Sequence, residues 1–319
     1  MIKITTMLAV LLAVFVFGCA GQGDPAPVDG NGETSENGEA IEAGNGSSSD
    51  EVSVSFEFTA PEVGQWIAYS ADGAEGEFKL SIVASEDYDG AECLWYQIEI
   101  DGEAVAQVLV DPSIVEELVA VSGVYMEEFI TDPVAYIQEN LPEDGSFMNN
   151  EDAVENMMLS LRAIKQVKVM QGEQLMLLDM AGVPELVEQM IADNPEMIEQ
   201  SMQFDAEDSE LEEFMTELEN AEFSMEEIEV NGLDCIQYTM SHPEEGSMVA
   251  IISMELPILP IMEAKAVPND PEDDGGMISV TAFGFDGAEN LMTQAPDQTM
   301  PVAMLLQGFA SQMQPPAEM

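Results

Sequence analysis

Apolar and polar residues alternate along the chain after its Gly- and Ser-rich segment. Every second residue from Val52 to Phe58 is apolar, and a period of two is typical of a strand with one buried face. Further β-rich runs follow as far as Val110, and Asp-Gly pairs, which favour tight hairpin turns, separate several of them. Residues 52–111 are therefore predicted to form an antiparallel meander.

The period becomes helical over residues 112–221. Asp132 and Pro133 have the order of an N-cap followed by a first-turn proline. We predict four helices in this insertion: Val134–Leu141, Glu151–Lys165, Pro184–Phe204 and Asp208–Asn220.

Strands are predicted again over residues 222–284, where Asn231-Gly232 supplies another hairpin turn. Apolar residues at helical spacing predict a C-terminal helix over residues 299–313. Together these elements predict a single α+β domain over residues 52–319.

The first eighteen residues have the pattern of a secretory signal. Lys3 precedes an apolar run from Met7 to Phe17, which is too short to span a hydrocarbon layer of ~30 Å as a helix. Gly18 and Cys19 follow directly, as in the lipobox of lipoprotein signals. We expect cleavage before Cys19 and lipidation of that cysteine; a plain secretory signal with an incidental cysteine is the alternative. Residues 19–51 then form a disordered, acidic Gly/Ser linker.

This signal predicts an extracytoplasmic protein that is anchored to a membrane through lipidated Cys19. Ala20, and not an aspartate, follows the cysteine. In a cell with two membranes, this favours the periplasmic face of the outer membrane.

The net charge of the chain limits the kinds of partner that it can bind. The chain has a formal net charge of −58, and loss of residues 1–18 removes Lys3 and no acid, which leaves 64 acids against five bases. Such a surface repels phosphate groups, so nucleic acid is excluded as a partner and anionic lipid head groups are disfavoured.

Two cysteines remain after Cys19. Cys93 and Cys235 are an even pair in a compartment where disulfides persist, so a disulfide between them is possible. Two buried free thiols are the alternative.

Four segments carry a resemblance to a known family: Gly64-Gln65-Trp66 with Tyr69, Trp95-Tyr96, Gly232 to Tyr238, and Phe283 to Ala288. They resemble the lipoprotein-localisation-factor (LolA/LolB-like) superfamily, in its uncharacterised outer-membrane lipoprotein branch. The resemblance implies a curved antiparallel sheet, or half-barrel, with the helical insertion packed on it. It also implies a concave face that holds acyl chains.

The predicted ligand groove combines aromatic residues of the strands with methionines of the helices. Its members are Trp66, Trp95, Met157, Met158 and Met190. Methionine adapts to irregular apolar surfaces, so it suits either a groove or a filled core. Both interpretations stay open at this point.

Three bases, Arg162, Lys165 and Lys168, are spaced three apart and would share one face of a helix. They are either internal counter-charges for acids of a neighbouring element or a contact for an anionic group.

Catalytic chemistry has few candidates. His242 is the single histidine and stands beside Pro243 in a predicted turn. No P-loop, dinucleotide fingerprint, nucleophile elbow or zinc-ligand spacing is present, so we expect no enzyme and no cofactor. An acidic loop with Asp270, Asp273 and Asp274 is a weak calcium candidate without EF-hand spacing, and a solvated loop is the alternative.

These features favour a non-enzymatic lipoprotein that binds an apolar ligand such as lipid, an acyl chain or a lipoprotein. A structural or protein-interaction lipoprotein with a filled core is the alternative function. The oligomeric state stays open.

Overall fold

The computed structural model describes residues 60–72, 76–116, 151–172, 174–193, 220–243, 246–269 and 275–313. Twelve strands and three helices lie wholly within these ranges, and residues 112–116 are helical as well. The strands are β1 Trp66–Ala71, β2 Glu77–Tyr88, β3 Ala91–Ile100, β4 Glu103–Val110, β5 Ile164–Gln171, β6 Gln174–Asp179, β7 Glu222–Val230, β8 Leu233–His242, β9 Gly246–Ile252, β10 Ile261–Pro268, β11 Met277–Gly284 and β12 Gln298–Pro301. The helices are α1 Glu151–Ala163, α2 Val183–Asp193 and α3 Val302–Met313.

All twelve strands belong to one open sheet, in the order β12-β6-β5-β4-β3-β2-β1-β11-β10-β9-β8-β7. Neighbouring strands are antiparallel except β12 and β6, which are parallel. The sheet is therefore mixed, and the described helices are few and short. The predicted fold class, an antiparallel half-barrel with a helical insertion packed on it, is wrong.

The error lies mainly at residues 164–179, which we predicted to be part of the helical insertion. They form β5 and β6, and β5 pairs along the free edge of β4. Helix α1 starts at Glu151 as predicted but ends at Ala163, whose carbonyl accepts a hydrogen bond from Asp111 N at 2.9 Å. Val167 and Val169 follow with the alternation of a strand, which β-branched residues favour.

The hairpin turns are confirmed. Asp89-Gly90, Asp101-Gly102 and Asn231-Gly232 each have two consecutive residues with positive φ, between 53° and 86°. This is the conformation of a type I′ turn, whose twist matches that of the flanking strands. The turns connect β2 to β3, β3 to β4 and β7 to β8.

Other elements differ from their predicted bounds. Helix α2 ends at Asp193, and the description stops before Pro195, the proline at the predicted internal break. Strand β12 was not predicted, and α3 starts at Val302 because residues 298–301 pair with β6. Residues 1–59, which include Cys19 and the predicted strand from Val52, lie outside the described residues, as do the predicted helices Val134–Leu141 and, apart from Asn220, Asp208–Asn220.

The core lies on both faces of strands β1–β4. On one face, Ile67, Tyr69, Phe78 and Leu80 pack against Leu256 and Leu259 of the connection between β9 and β10. The same face continues through Ile82, Leu94, Tyr96 and Val110 to Ala163 at the end of α1. On the other face, Val83, Cys93, Trp95 and Leu109 pack together with Ala288. Among the described helices, none has the length and apolar character needed to span a membrane.

Candidate apolar binding face

The sheet carries a buried polar cluster on its central strands. We use "central polar cluster" for Lys79 and Ser81 of β2, Gln97 and Glu99 of β3, Gln107 of β4 and Lys168 of β5. Ser81, Gln97 and Gln107 have no exposed surface, and Glu99 is 4% exposed. They share one face because cross-strand partners in the register point the same way.

Glu99 is the acceptor at the middle of this cluster. Its carboxylate receives hydrogen bonds from Lys79 Nζ at 3.1 Å, Ser81 Oγ at 3.2 Å and Gln97 Nε2 at 2.9 Å. Gln107 Nε2 in turn donates to Gln97 Oε1 at 2.9 Å. A buried carboxylate is tolerated when it is paired and hydrogen-bonded in this way.

Residues 289–291, which follow β11 in the chain, cover the central polar cluster. Gln97 Nε2 donates to the carbonyl of Glu289 at 3.0 Å, and Leu291 N donates to Gln97 Oε1 at 2.9 Å. Gln107 Nε2 donates to Asn290 Oδ1 at 2.8 Å. The polar groups are therefore paired within the chain, and the cluster fastens residues 289–291 to the sheet.

Lys168 lies at the edge of this cluster against an aromatic ring. Its Nζ is 3.7 Å from the centroid of the Trp95 ring and 3.3 Å from Gln107 Oε1. Burial lowers the pKa of Lys168, while the nearby Glu86 carboxylate acts in the opposite direction. Glu86 accepts a hydrogen bond from Trp95 Nε1 at 2.8 Å. This arrangement holds a partly desolvated cation by a cation–π contact.

The outer strands β7–β10 have a different pattern. Register places their side chains in rows, and three rows on one face are apolar at all positions but one. We call these rows the apolar face. Its rows are Phe223, Met240, Met248 and Ala266; Met225, Tyr238, Ala250 and Ala264; and Glu227, Ile236, Ile252 and Ile261.

The opposite face of the same strands is mixed. Its rows begin with Glu222, Ser224 and Glu226 of β7 and continue through Ser241, Thr239 and Gln237 of β8. Further along this face, Val230, Leu233 and Ile251 are apolar and pack against the core.

Several apolar side chains of the apolar face are accessible. Met248 is 58% exposed and Phe223 is 37% exposed, whereas Ile67 and Leu80 in the central strands are 0% and 5% exposed. With strands about 4.8 Å apart and rows about 6.8 Å apart, the apolar face measures roughly 14 Å in each direction.

Tyr238 occupies the middle row of the apolar face. Its hydroxyl is buried and has no hydrogen-bond partner among the described residues. Burial raises the pKa of Tyr238 to about 12. Tyr69 in the central strands is different, because its hydroxyl donates to the carbonyl of Ile261 at 2.9 Å.

The residues of the predicted groove lie in different surroundings. Trp66 is half-buried and donates from Nε1 to the carbonyl of Asp286 at 3.1 Å, whereas Trp95 is buried beside Cys93. In α1, Met158 is buried and Met157 half-buried, and Met190 of α2 is half-buried. Trp95 and the C-terminal end of α1 pack on opposite faces of the sheet. The groove of these five residues stays a prediction.

The three spaced bases do not form a helical stripe. Arg162 lies in the last turn of α1 and forms an ion pair with Glu188 of α2, while Lys165 and Lys168 belong to β5. Lys165 is the extra residue at a register shift, and its Nζ lies 3.2 Å from Asp111 Oδ2. The structure thus places Arg162 and Lys165 beside acids of neighbouring elements.

Asp111 has further hydrogen bonds beyond this pair. Burial alone would raise the pKa of Asp111, but hydrogen bonds from Ser113 and the charge and hydrogen bond of Lys165 outweigh it and lower the pKa. Ser113 Oγ donates to Asp111 Oδ1 at 2.7 Å.

Cys93 and Cys235 are buried and free. Their strands, β3 and β8, are six positions apart in the sheet order and do not pair with each other, whereas a disulfide needs Cα atoms within about 7 Å. Burial raises the pKa of both thiols. This placement favours two buried free thiols.

The remaining candidates add no site. His242 ends β8 and is half-buried at the hairpin to β9. Asp270, Asp273 and Asp274 lie outside the described residues. Within the residues that the structure describes, no group of three or more His, Cys, Asp or Glu side chains is placed to hold a metal ion.

Sequence reasoning missed the apolar face, although one signal for it is present. Phe223 and Met225 alternate with Ser224 and Glu226, as expected for a strand with two unlike sides. The alternation does not show which strands lie side by side, so the rows became visible only from the sheet order.

Comparisons with known proteins give little further information. No protein-family model matches the chain, and no curated protein matches it. One solved structure that resembles it is described as a "putative exported protein with YmcC-like fold" from Bacteroides fragilis NCTC 9343. The TM-score is 0.24 and the identity 11%, over 71% of this chain and 98% of that chain. The LolA/LolB-like resemblance stays a prediction.

Proposed function

We propose that this chain is a lipid-anchored, extracytoplasmic and non-enzymatic binding protein whose apolar face takes a single acyl chain or a similar apolar ligand. The observation that carries this proposal is the set of three apolar rows on one face of β7–β10, with Met248 and Phe223 accessible at its rim. The signal pattern and Cys19 support the anchored location.

The energetics favour an apolar ligand. Burying apolar surface contributes about 25 cal/mol per Å², so covering accessible side chains on this face stabilises a complex without any directional polar contact. Met225, Met240 and Met248 are unbranched and polarizable, and such side chains adapt to ligands of different shape.

The filled centre supports the second candidate function, a structural or protein-interaction lipoprotein without a small-molecule ligand. Strands β1–β4 are covered on both faces, and the central polar cluster is closed by residues 289–291. This candidate requires that the apolar face bind no lipid.

Binding of monolauroylglycerol, an uncharged lipid with one acyl chain, tests the proposal. We would use the secreted chain carrying Cys19→Ser and measure binding by native mass spectrometry and by titration. We expect a one-to-one complex, and we expect Met248→Gln to weaken binding by roughly tenfold because it removes apolar contact area.

Val249→Gln is the matched control. Val249 is the next residue of β9 and pairs with Lys265 and Thr239 on the opposite face, so the same glutamine placed there should leave lipid binding unchanged. If the unsubstituted chain binds no lipid, the proposal fails and the filled-core candidate remains.

A further inference from the structure

We infer that the apolar face prefers a single-chain amphiphile with a positively charged head group, which lies at the end of the face formed by Glu227, Glu229 and Asp234. This inference rests on the proposed function and adds the charge of the ligand. It follows from where the structure places acids and bases around the face.

The two ends of the apolar face, taken along its strands, differ in polarity. The row of Phe223 and Met248 is entirely apolar, whereas Glu227 enters the third row beside Ile236. The next row on the same face pairs Glu229 with Asp234 at the β7–β8 hairpin. All three carboxylates are exposed. A ligand that is apolar at one end and cationic at the other matches this order.

No lysine or arginine lies on the face to balance these acids, and His242 follows Met240 on the same side of β8 at the end away from the acids. The chain beyond residue 18 has five bases, and the structure describes all of them. Four have their contacts elsewhere: Lys79 with Glu99, Arg162 with Glu188, Lys165 with Asp111, and Lys168 with Trp95. The fifth, Lys265 of β10, pairs with Val249 and so belongs to the opposite face.

Other occupants fit this charge distribution less well. A fatty-acid carboxylate or a lipid phosphate would approach three acids without a counter-charge, and like charges repel. A second copy of the chain carries the same large negative charge, so two such faces would meet against strong repulsion at low salt. A cationic head group is attracted by the same acids.

Three amphiphiles with the same twelve-carbon chain separate head-group charge from chain burial. They are dodecyltrimethylammonium, monolauroylglycerol and laurate, each below its micellar concentration and titrated into the secreted chain carrying Cys19→Ser. At low salt we expect the cationic amphiphile to bind most tightly and laurate most weakly. The differences should shrink at ~1 M salt, where the Debye length falls to about 3 Å.

Glu227→Gln and Glu226→Gln distinguish a head-group position from general attraction to an acidic protein. Both acids are exposed residues of β7 and lose the same charge, but Glu226 pairs with Gln237 on the opposite face. Glu227→Gln should weaken binding of the cationic amphiphile by about twofold to fivefold, the range expected for one exposed charge pair. Glu226→Gln should leave binding of both the cationic amphiphile and monolauroylglycerol unchanged, and Glu227→Gln should weaken binding of the cationic amphiphile more than binding of monolauroylglycerol.

The outcomes separate this inference from the proposed function. Equal weakening by both substitutions, or laurate binding as tightly as the cation, overturns the inference while the proposed function stands on the binding of monolauroylglycerol. If none of the three amphiphiles binds, both fail.

Discussion

The central strands β1–β4 and the outer strands β7–β10 belong to the same sheet but use their two faces differently. In the centre, apolar residues fill one face, and the central polar cluster is closed beneath residues 289–291 on the other. In the outer strands, one face is apolar and accessible at Met248 and Phe223.

This difference shows how one sheet can combine a rigid core with an adaptable surface. A polar group that is covered must find partners inside the chain, and Gln97 does so with four hydrogen bonds. Tyr238 in the outer strands has a buried hydroxyl without a partner among the described residues. The centre therefore depends on exact polar pairing, and the outer strands depend on it less.

Gln97→Leu is expected to have the largest effect on stability. Gln97 is fully buried, and its loss leaves the carbonyl of Glu289 and the N–H of Leu291 without their partner. Each unsatisfied buried group costs about 1–3 kcal/mol, so we expect the free energy of unfolding to fall by about 3 kcal/mol in urea denaturation.

The control for this substitution is Gln237→Leu in β8. Gln237 is half-buried and has one long hydrogen bond to Thr239 Oγ1 at 3.4 Å, so its replacement should cost less than about 1 kcal/mol. Equal losses in the free energy of unfolding for Gln97→Leu and Gln237→Leu would contradict the distinction between the central and the outer strands.

Asp111→Asn tests the ion pair with Lys165 at the edge of the centre. The pKa of Asp111 is lowered in the folded chain, so its contribution is present above the ordinary aspartate pKa of about 3.9 and is lost as the pH falls through the lowered value. We expect the variant to be less stable by about 1–2 kcal/mol near pH 7, with a difference that shrinks towards about pH 2.

Urea denaturation at a series of pH values measures this difference. Glu188→Gln is the control, because its pair with Arg162 has both side chains 48% exposed and should contribute less than about 1 kcal/mol. A pH-independent difference for Asp111→Asn would show that the carboxylate charge is not the cause.

Tyr238→Phe is expected to have the smallest effect on stability. Unlike the substitutions above, it should raise the free energy of unfolding. Removing a buried hydroxyl that has no described partner should raise the free energy of unfolding by up to about 1 kcal/mol. Because the pKa of Tyr238 is raised to about 12 in the folded chain, this hydroxyl ionises at a lower pH in the unfolded chain. The free energy of unfolding of the unsubstituted chain therefore falls as the pH rises above about 10, and that of the Tyr238→Phe variant should fall less steeply.

Tyr69→Phe is the matching substitution in the centre. The Tyr69 hydroxyl donates to the carbonyl of Ile261, so its removal should lower the free energy of unfolding by about 1 kcal/mol. Thermal melts show whether each variant is more or less stable than the unsubstituted chain. Destabilisation of both would indicate that the Tyr238 hydroxyl has a hydrogen-bond partner.

Local sequence signals predicted most of the strands and the turns between them. β-rich runs from Trp66 to Val110 and from Phe223 to Phe283 predicted nine of the strands, and the Asp-Gly and Asn-Gly pairs predicted hairpins between several of them. These signals were reliable because the turn residues and the side-chain period act over a few neighbouring residues. The start of α1 at Glu151 was predicted on the same kind of evidence.

The sequence by itself therefore determined the local elements, the large negative charge and the signal pattern that ends at Cys19. Only the tertiary structure decided that residues 164–179 extend the sheet, that β12 joins it in parallel, and that Met225, Met240 and Met248 share one face. The reason is physical. Strand pairing depends on which backbone edge is free, and a shared face depends on register between distant residues, neither of which a local pattern encodes.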